Sequence, residues 1–212
     1  MLFGGGGGTE PPYKIQKYNW NETTTNGKRA CRPKNKIMSN KVIIITGNKG
    51  DGKTTMLLNI VDVLKKNSID IAGFVAVGEW RNSERSKYTL VDVASGKLAL
   101  ICTDTATKGY DKHGRFYFNP LAVKFGEKIL SSTQTRKLVI VIDEIGPFEL
   151  NDKVWHNSLV HHIEKTQNVL LLSVREKLVD DIVKKYILTN VSVYNTKANV
   201  ADIVKEIRQN VI

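Results

Sequence analysis

Short apolar runs alternate with longer stretches of helical period over most of this chain. Val42 to Ile45 is a run of four β-branched residues, the composition of a strand buried on both faces. Thr55 opens a helical pattern that reaches Leu64. Ile69 to Val77 reads as a second strand, set off by Asn67-Ser68. The texture then changes. Lys87 to Val93 alternates with period two, Ser95-Gly96 makes a turn, and Lys97 to Cys102 returns, which predicts an antiparallel hairpin. Thr103 to Gly114 reads as loop and Arg115 to Phe118 as a short strand. Asn119-Pro120 opens a helix, with Asn as the cap and Pro at the first helical position. Lys137 to Ile142 is the most apolar strand. A helix over Lys153–Lys165, a strand over Asn168–Val174, a helix over Lys177–Tyr186, a strand over Val191–Tyr194 and a terminal helix with apolar Val200, Ile203, Val204 and Ile207 complete the pattern. Strand and helix in alternation predict an α/β fold with a mostly parallel sheet, helices on both faces and one antiparallel hairpin.

The first strand runs into Gly47-Asn48-Lys49-Gly50-Asp51-Gly52-Lys53-Thr54, which fits G-x-x-x-x-G-K-[ST], the Walker A phosphate-binding loop. The spacing has a physical reason. Glycines let the backbone curl so that successive N–H groups converge on one anion. Lys53 adds a positive charge for the β- and γ-phosphates, and the Thr54 hydroxyl is a ligand for Mg²⁺. Thr55 continues into a helix whose positive end faces the same anion. A bare Gly-rich turn would fit the glycines but would not call for Lys-Thr at the helix start.

Ligands of parallel α/β sheets bind beyond the carboxyl ends of the strands. Asp143-Glu144 lies at that end of the most apolar strand, the Walker B position. Asp143 there supports Mg²⁺, and Glu144 is placed to polarise a water beside the γ-phosphate. The plainer reading, an acidic strand end capping the next helix, loses weight beside an intact phosphate loop. Arg175 ends the following strand, where it can stabilise charge on the γ-phosphate or simply face solvent. Asp143-Glu144-Ile145-Gly146 also matches D-x-x-G, and Asn48-Lys49-Gly50-Asp51 matches N-K-x-D, but the second lies inside the phosphate loop, where it cannot reach a base. His113, His156, His161 and His162 have no metal spacing and read as surface positions; Trp80, Trp155 and Phe148 read as packing residues.

Composition changes this picture little. At 212 residues, 41% apolar and 25% charged, the chain is an ordinary globular domain. No apolar run approaches the roughly 18 residues of a membrane span, and the start lacks the basic and apolar regions of a signal peptide. A cytoplasmic setting is therefore expected, with Cys31 and Cys102 as free thiols. Of the net charge of +11, residues 1–40 hold +5. That stretch is rich in Gly, Asn and Thr and has no apolar period, which predicts a basic extension ahead of a domain over 41–212. A basic balance permits nucleic-acid contact; a solvated tail plus a site that attracts anionic nucleotides explains it without one.

The stretches GNKGDGKTT, AGFVAVGEWRN, YTLVDVASGKLALIC and above all VIDEIGPFEL resemble the small nucleoside-triphosphatase family. Its vertebrate members are called cancer-related nucleoside-triphosphatase, and its archaeal and bacterial members are thermophilic-type NTPases. The resemblance covers roughly residues 41–210. It implies a RecA-like P-loop NTPase sheet and Mg²⁺-dependent hydrolysis of ATP, GTP and other triphosphates. It places the phosphate loop on Gly47 to Thr54, the metal acid on Asp143 and the catalytic acid on Glu144. Residues 1–40 have no counterpart, and Thr196 to Val200 lacks the Arg that the family often carries near its last strand. Two alternatives stand beside hydrolysis. A nucleoside-type kinase needs an acceptor pocket and usually an Arg-rich lid, whereas Trp80 to Lys87 holds only Arg81 and Arg85. A nucleotide-gated nucleic-acid-binding ATPase would use the basic tail.

A chain beginning at Met38 should fold as the full chain does. Its melting temperature should lie within about 3 °C of the full-length value, the shift expected for roughly 1 kcal/mol in a domain this large. Calorimetry of both chains checks this, and an insoluble truncation would show that the tail packs into the domain.

Overall fold

The computed structural model describes residues 40–131 and 137–211. Residues 1–39 of the extension therefore lie outside the described residues, Cys31 among them. Among the described residues, nine strands form one sheet in the order β5-β6-β4-β3-β2-β7-β8-β1-β9. The chain order is β1 (Val42–Gly47), α1 (Lys53–Lys66), β2 (Ile71–Arg81), β3 (Glu84–Asp92), β4 (Leu98–Thr103), β5 (Asp111–His113) and β6 (Phe116–Phe118). Then come α2 (Pro120–Leu130), β7 (Val139–Ile145), α3 (Pro147–Leu150), α4 (His156–Lys165), β8 (Val169–Arg175), α5 (Val179–Lys185), β9 (Val191–Asn195) and α6 (Val200–Val211).

The sheet has two halves. The strands β2, β7, β8, β1 and β9 run parallel; β3, β4, β6 and β5 extend it from β2 in antiparallel pairings. In the parallel half, side chains alternate between two cores. Ile43 and Ile45 pack with Leu57, Ile60 and Leu64 of α1 and Ile203 and Ile207 of α6. Val42 and Ile44 belong to the opposite core, with Phe74, Trp155, Leu159 and Ile182. Burying a side chain of this size stabilises by about 1.5–3 kcal/mol, which is why branched apolar runs, not alternating ones, mark these strands. Gly73 is a tight point: a Cβ there would stand 1.9 Å from the Val141 carbonyl oxygen, and its φ is +106°. β2 approaches β7 closely because this residue has no side chain.

Several sequence expectations are corrected. The stretch Thr103–Gly114 is not all loop, since Asp111–His113 pairs with β6; three polar residues carry no period to reveal such a strand. The helix expected from Lys153 begins at His156, preceded by the short α3. The helix expected over Lys177–Tyr186 is a 3-10 turn, Glu176–Leu178, followed by α5. His162 is not at the surface: it is 4% exposed, and its Nε2 lies 2.9 Å from the Leu130 carbonyl. Trp80 is no packing residue, being 60% exposed. The Asn119 cap is as read, its side chain accepting from the Leu121 N–H. Among the described residues, no helix is long and apolar enough to cross a membrane.

The far edge is fastened by a polar clamp. Lys41, just before β1, is buried and donates through Nζ to Ser192 Oγ on β9 and to Glu206 Oε1 on α6, both at 2.7 Å. Tyr194 Oη donates to Glu206 Oε2 at 2.6 Å. Burial opposes ionisation of Glu206, but the hydrogen bonds from Lys41, Tyr194 and Ser192 outweigh it and hold its pKa below the usual glutamate value. A depressed folded pKa stabilises above the unfolded value, and the contribution fades as pH falls through the folded one. Glu206→Ala leaves Lys41 buried without its counter-charge and should destabilise by about 2–4 kcal/mol. It should also flatten the acid limb of stability against pH. Urea titrations of both proteins from neutral pH to pH about 3 test this, since a glutamate loses its charge in that window.

Candidate active site

The loop after β1 closes on itself before it meets any ligand. The Asn48 N–H donates to Asp51 Oδ2 at 2.6 Å, and Gly52 turns into α1 with φ +88°. Asp51 is therefore used inside the loop. No side chain caps α1, and its first helical bond runs from Met56 N–H to the Gly52 carbonyl. The N–H groups of Lys53, Thr54 and Thr55 thus stand at an uncapped helix start, the kind of position that suits an anion. Lys53, 5% exposed, donates through Nζ to the carbonyls of Asn48 at 2.7 Å and Gly47 at 3.2 Å. Those bonds keep its ammonium in the hollow of the loop. Lys49, Gly50 and Thr55 are at the surface.

Asp143 is 1% exposed and has four donors. Thr54 Oγ1 reaches Oδ2 at 2.8 Å, and so does the Ala76 N–H at 3.0 Å. On the other oxygen, the Glu144 N–H donates at 3.0 Å, together with the Ser173 hydroxyl. Ser173 also accepts from the Glu144 N–H at 2.9 Å. The pairing of β7 with β8 shifts register between Ile142 and Ile145, and Glu144 adopts φ +60°. A non-glycine residue in that region stores strain of order 1–3 kcal/mol, held here by Ser173 and Asp143. The bulge turns the Glu144 side chain out of the sheet while Asp143 stays within it.

Glu144 is reached by water, but cavity walls stand around it. That desolvation, followed by the nearby Asp143 charge, raises its pKa above the usual carboxylate value; Lys53, Arg175 and Arg85 pull it back. Arg175 pairs in register with Gly47 across β8 and β1, and it is half-buried in the same hollow as Glu144. The sequence-read residues Lys53, Thr54, Asp143, Glu144 and Arg175 therefore converge from the start of α1 and the ends of β7 and β8. Ser173, Ala76 and Arg85 were missed. Arg85 lies on β3, stacks 4.2 Å over the Trp80 ring and donates to the Gly78 carbonyl. A serine inside an apolar strand and a backbone N–H carry no sequence signal; an arginine before a hairpin carried only a weak one.

Beside these residues opens a cavity of about 700 Å³. Glu144, Lys49 and Arg175 stand on its wall with Tyr88, Phe116, Phe118, Phe148 and Trp155. Glu149, in the stretch that carried the resemblance, is structural. It is 1% exposed, and its carboxylate accepts from the N–H groups of Gly146 at 2.9 Å and Trp155 at 3.3 Å. Cys102, also on the wall, is a buried free thiol, and burial raises its pKa to about 11.

The donors fit a hard cation. Thr54 Oγ1 and Asp143 Oδ2 are two oxygens 2.8 Å apart at the mouth of the phosphate loop. No group of three or more His, Cys, Asp or Glu side chains is placed to hold a metal among the described residues. Hydroxyl and carboxylate oxygens of this kind are the hard ligands that Mg²⁺ takes.

The family profile described as NTPase matches residues 42–208. The nucleoside-triphosphatase THEP1 of Saccharolobus solfataricus is 33% identical over 108 residues, 51% of this chain and 61% of that protein, so the chain spans about three-fifths of that relative's length. The THEP1 of Aquifex aeolicus is 36% identical over 134 residues, 60% of this chain and 72% of that protein. The crystal structure of THEP1 from the same hyperthermophile superposes with a TM-score of 0.62 at 21% identity, over 78% of this chain and 98% of that one, a likeness of fold. With its strands, loop and acids all inside the matched span, this chain belongs to the NTPase family.

Proposed function

We propose that the chain is a Mg²⁺-dependent nucleoside-triphosphatase that hydrolyses ATP, GTP and other nucleoside triphosphates to the diphosphate and phosphate. The observation that carries this reading is the 2.8 Å bond between Thr54 and Asp143, residues 89 apart in sequence. It supports a single centre in which the phosphate loop and the paired acids act on the same phosphoryl group. The names of the THEP1 relatives support the same activity. A cytoplasmic setting suits the free thiol of Cys102.

The loop amides and Lys53 bind the β- and γ-phosphates. Thr54 and Asp143 would hold Mg²⁺, which when bound neutralises phosphate charge and fixes the triphosphate. Glu144 orients the attacking water and accepts its proton. Arg175, beside Gly47, stabilises the charge that spreads over the γ-phosphoryl oxygens as the bond breaks. Ser173 and Asp143 hold the Glu144 backbone, so the carboxylate is set before substrate arrives.

Lys53→Ala removes charge needed in both the bound and the transition state. Triphosphate binding should weaken and turnover should fall to background in a phosphate-release assay. A wild-type rate would sink the phosphate-loop reading.

The two acids should separate. Glu144→Gln keeps size and an acceptor oxygen but loses the base, so turnover should fall about 10²–10⁴-fold. Affinity for a slowly hydrolysed ATP analogue with Mg²⁺ should barely change, because the interaction belongs mainly to the transition state. Asp143→Asn should weaken binding as well as rate. Calorimetry and phosphate release on the same preparations decide it. Retained turnover in Glu144→Gln would place the base elsewhere.

A further inference from the structure

The phosphate loop and the acids use only one end of the 700 Å³ cavity. An attacking water needs a space of about 30 Å³, so hydrolysis alone does not call for such a room. Sites that hold small organic molecules run from about 300 to 1,000 Å³. The construction of this one is also specific. Its walls come from the antiparallel extension and the helices that follow it: Tyr88 on β3, Cys102 on β4, Phe116 and Phe118 on β6, Ala122 and Val123 on α2. None of these elements is needed to shape the phosphate loop. The far wall is Phe148 and Trp155; Phe148 meets Phe118 edge-on at 5.8 Å, and Trp155 lies 4.7 Å from Phe74.

Chemistry is distributed unevenly around the cavity. Most of the lining is carbon, much of it aromatic ring. Charge gathers at Lys49, Asp143, Glu144 and Arg175, while the Glu149 carboxylate is taken up by the N–H groups of Gly146 and Trp155. Apart from Lys49, no residue between Gly47 and Thr55 lines it, so the part of the loop that grips the triphosphate faces elsewhere. In-line displacement puts the attacking oxygen opposite the leaving diphosphate. Glu144 marks the attacking side, and the cavity opens on that side.

We propose that the cavity is an acceptor site for a small, flat aromatic alcohol, whose ring lies among the aromatic walls and whose hydroxyl, at Glu144, replaces water as the attacking group. The chain is then a phosphotransferase as well as a hydrolase; this rests on the hydrolytic reading above and names a second substrate for the same centre. The acceptor oxygen forms a bond to the γ-phosphorus, and the bond from that phosphorus to the β–γ bridging oxygen breaks. The nucleoside diphosphate leaves with the electron pair. The hydroxyl proton passes to the Glu144 carboxylate. The products are a phosphate monoester and the diphosphate. Sugars fit the site poorly, because most of their hydroxyls would face carbon without a partner. Tyr88, beside Glu144 and Arg85, supplies a phenolic hydroxyl near the charged end for one further contact.

The full chain is incubated with Mg²⁺ and ATP labelled in the γ-phosphate. Tryptophol or 2-phenylethanol is added to parallel samples, and methanol at the same concentration to a third. The ratio of labelled ester to labelled phosphate is then read. Transfer from bulk solvent would give the same ratio for every primary alcohol. A bound acceptor should give a ratio at least about tenfold higher for one or both aromatic alcohols than for methanol, since a held reactant gains this much easily. Val123→Phe, which fills part of the cavity, should lower that ratio about tenfold toward the methanol value, as loss of the held geometry requires. Phosphate release with no preference for either aromatic alcohol overturns the acceptor site and leaves hydrolysis standing. So does a preference that Val123→Phe, folded by its melting curve, does not reduce. If that variant does not fold, the comparison of alcohols on the unmodified chain decides alone. No phosphate in the alcohol-free control overturns the hydrolytic reading, and the acceptor site falls with it.

Discussion

The centre depends on the saturation of one buried carboxylate. Asp143 accepts from Thr54, Ala76, Glu144 and Ser173, four donors on α1, β2, β7 and β8. A carboxylate taken out of water is tolerable only when its lone pairs are met in this way. The requirement works in both directions. The four donors meet the oxygens of the buried acid, and the acid fixes the relative positions of four elements at the carboxyl edge of the sheet. The phosphate loop is thereby referenced to the strand that carries Glu144, although β8 lies between them.

The two halves of the sheet follow different physical rules. The parallel half is covered on both faces, so its strands are solid apolar runs with helices α1 and α6 on one side and α4 and α5 on the other. The antiparallel half is half-exposed and carries aromatic and charged residues. One half is packed on both faces behind the Gly47–Thr54 loop. The other bends around the space beside Glu144. Arg85 bridges them: it sits on the extension, yet its charge is felt at Glu144.

What the sequence made legible follows from this division. β1, the loop and α1 could be read because burial on two faces and the demands of a phosphate each leave a dense local pattern. Asp143 and Glu144 could be read because an acid after a fully buried strand is conspicuous. Ser173 could not, since a hydroxyl within Val169–Arg175 looks like a neutral break in an apolar run until a carboxylate is found 30 residues away. His162 was misjudged because its partner is a carbonyl at the end of another helix. Trp80 misleads because a large ring after an apolar strand looks like core, whereas it stands 60% exposed with Arg85 stacked on one face. The cavity had no signature at all: each of its aromatic residues reads as ordinary core, and only the fold arranges them around a space.

The close approach at Gly73 has a consequence for how this protein tolerates change. Three residues further along β2 is Ala76, whose N–H holds Asp143, and Gly73 itself faces Val141, two residues before that acid. A single methyl group at position 73 would therefore act as a wedge at the root of a short fork, with Ala76 and Asp143 as its tips. Prying the strands apart there would splay the tips and loosen the site without touching any residue of the Gly47–Thr54 loop. Damage of this kind would register as a poorly aligned centre in a protein that still folds, and it would be easy to mistake for a loss of chemistry.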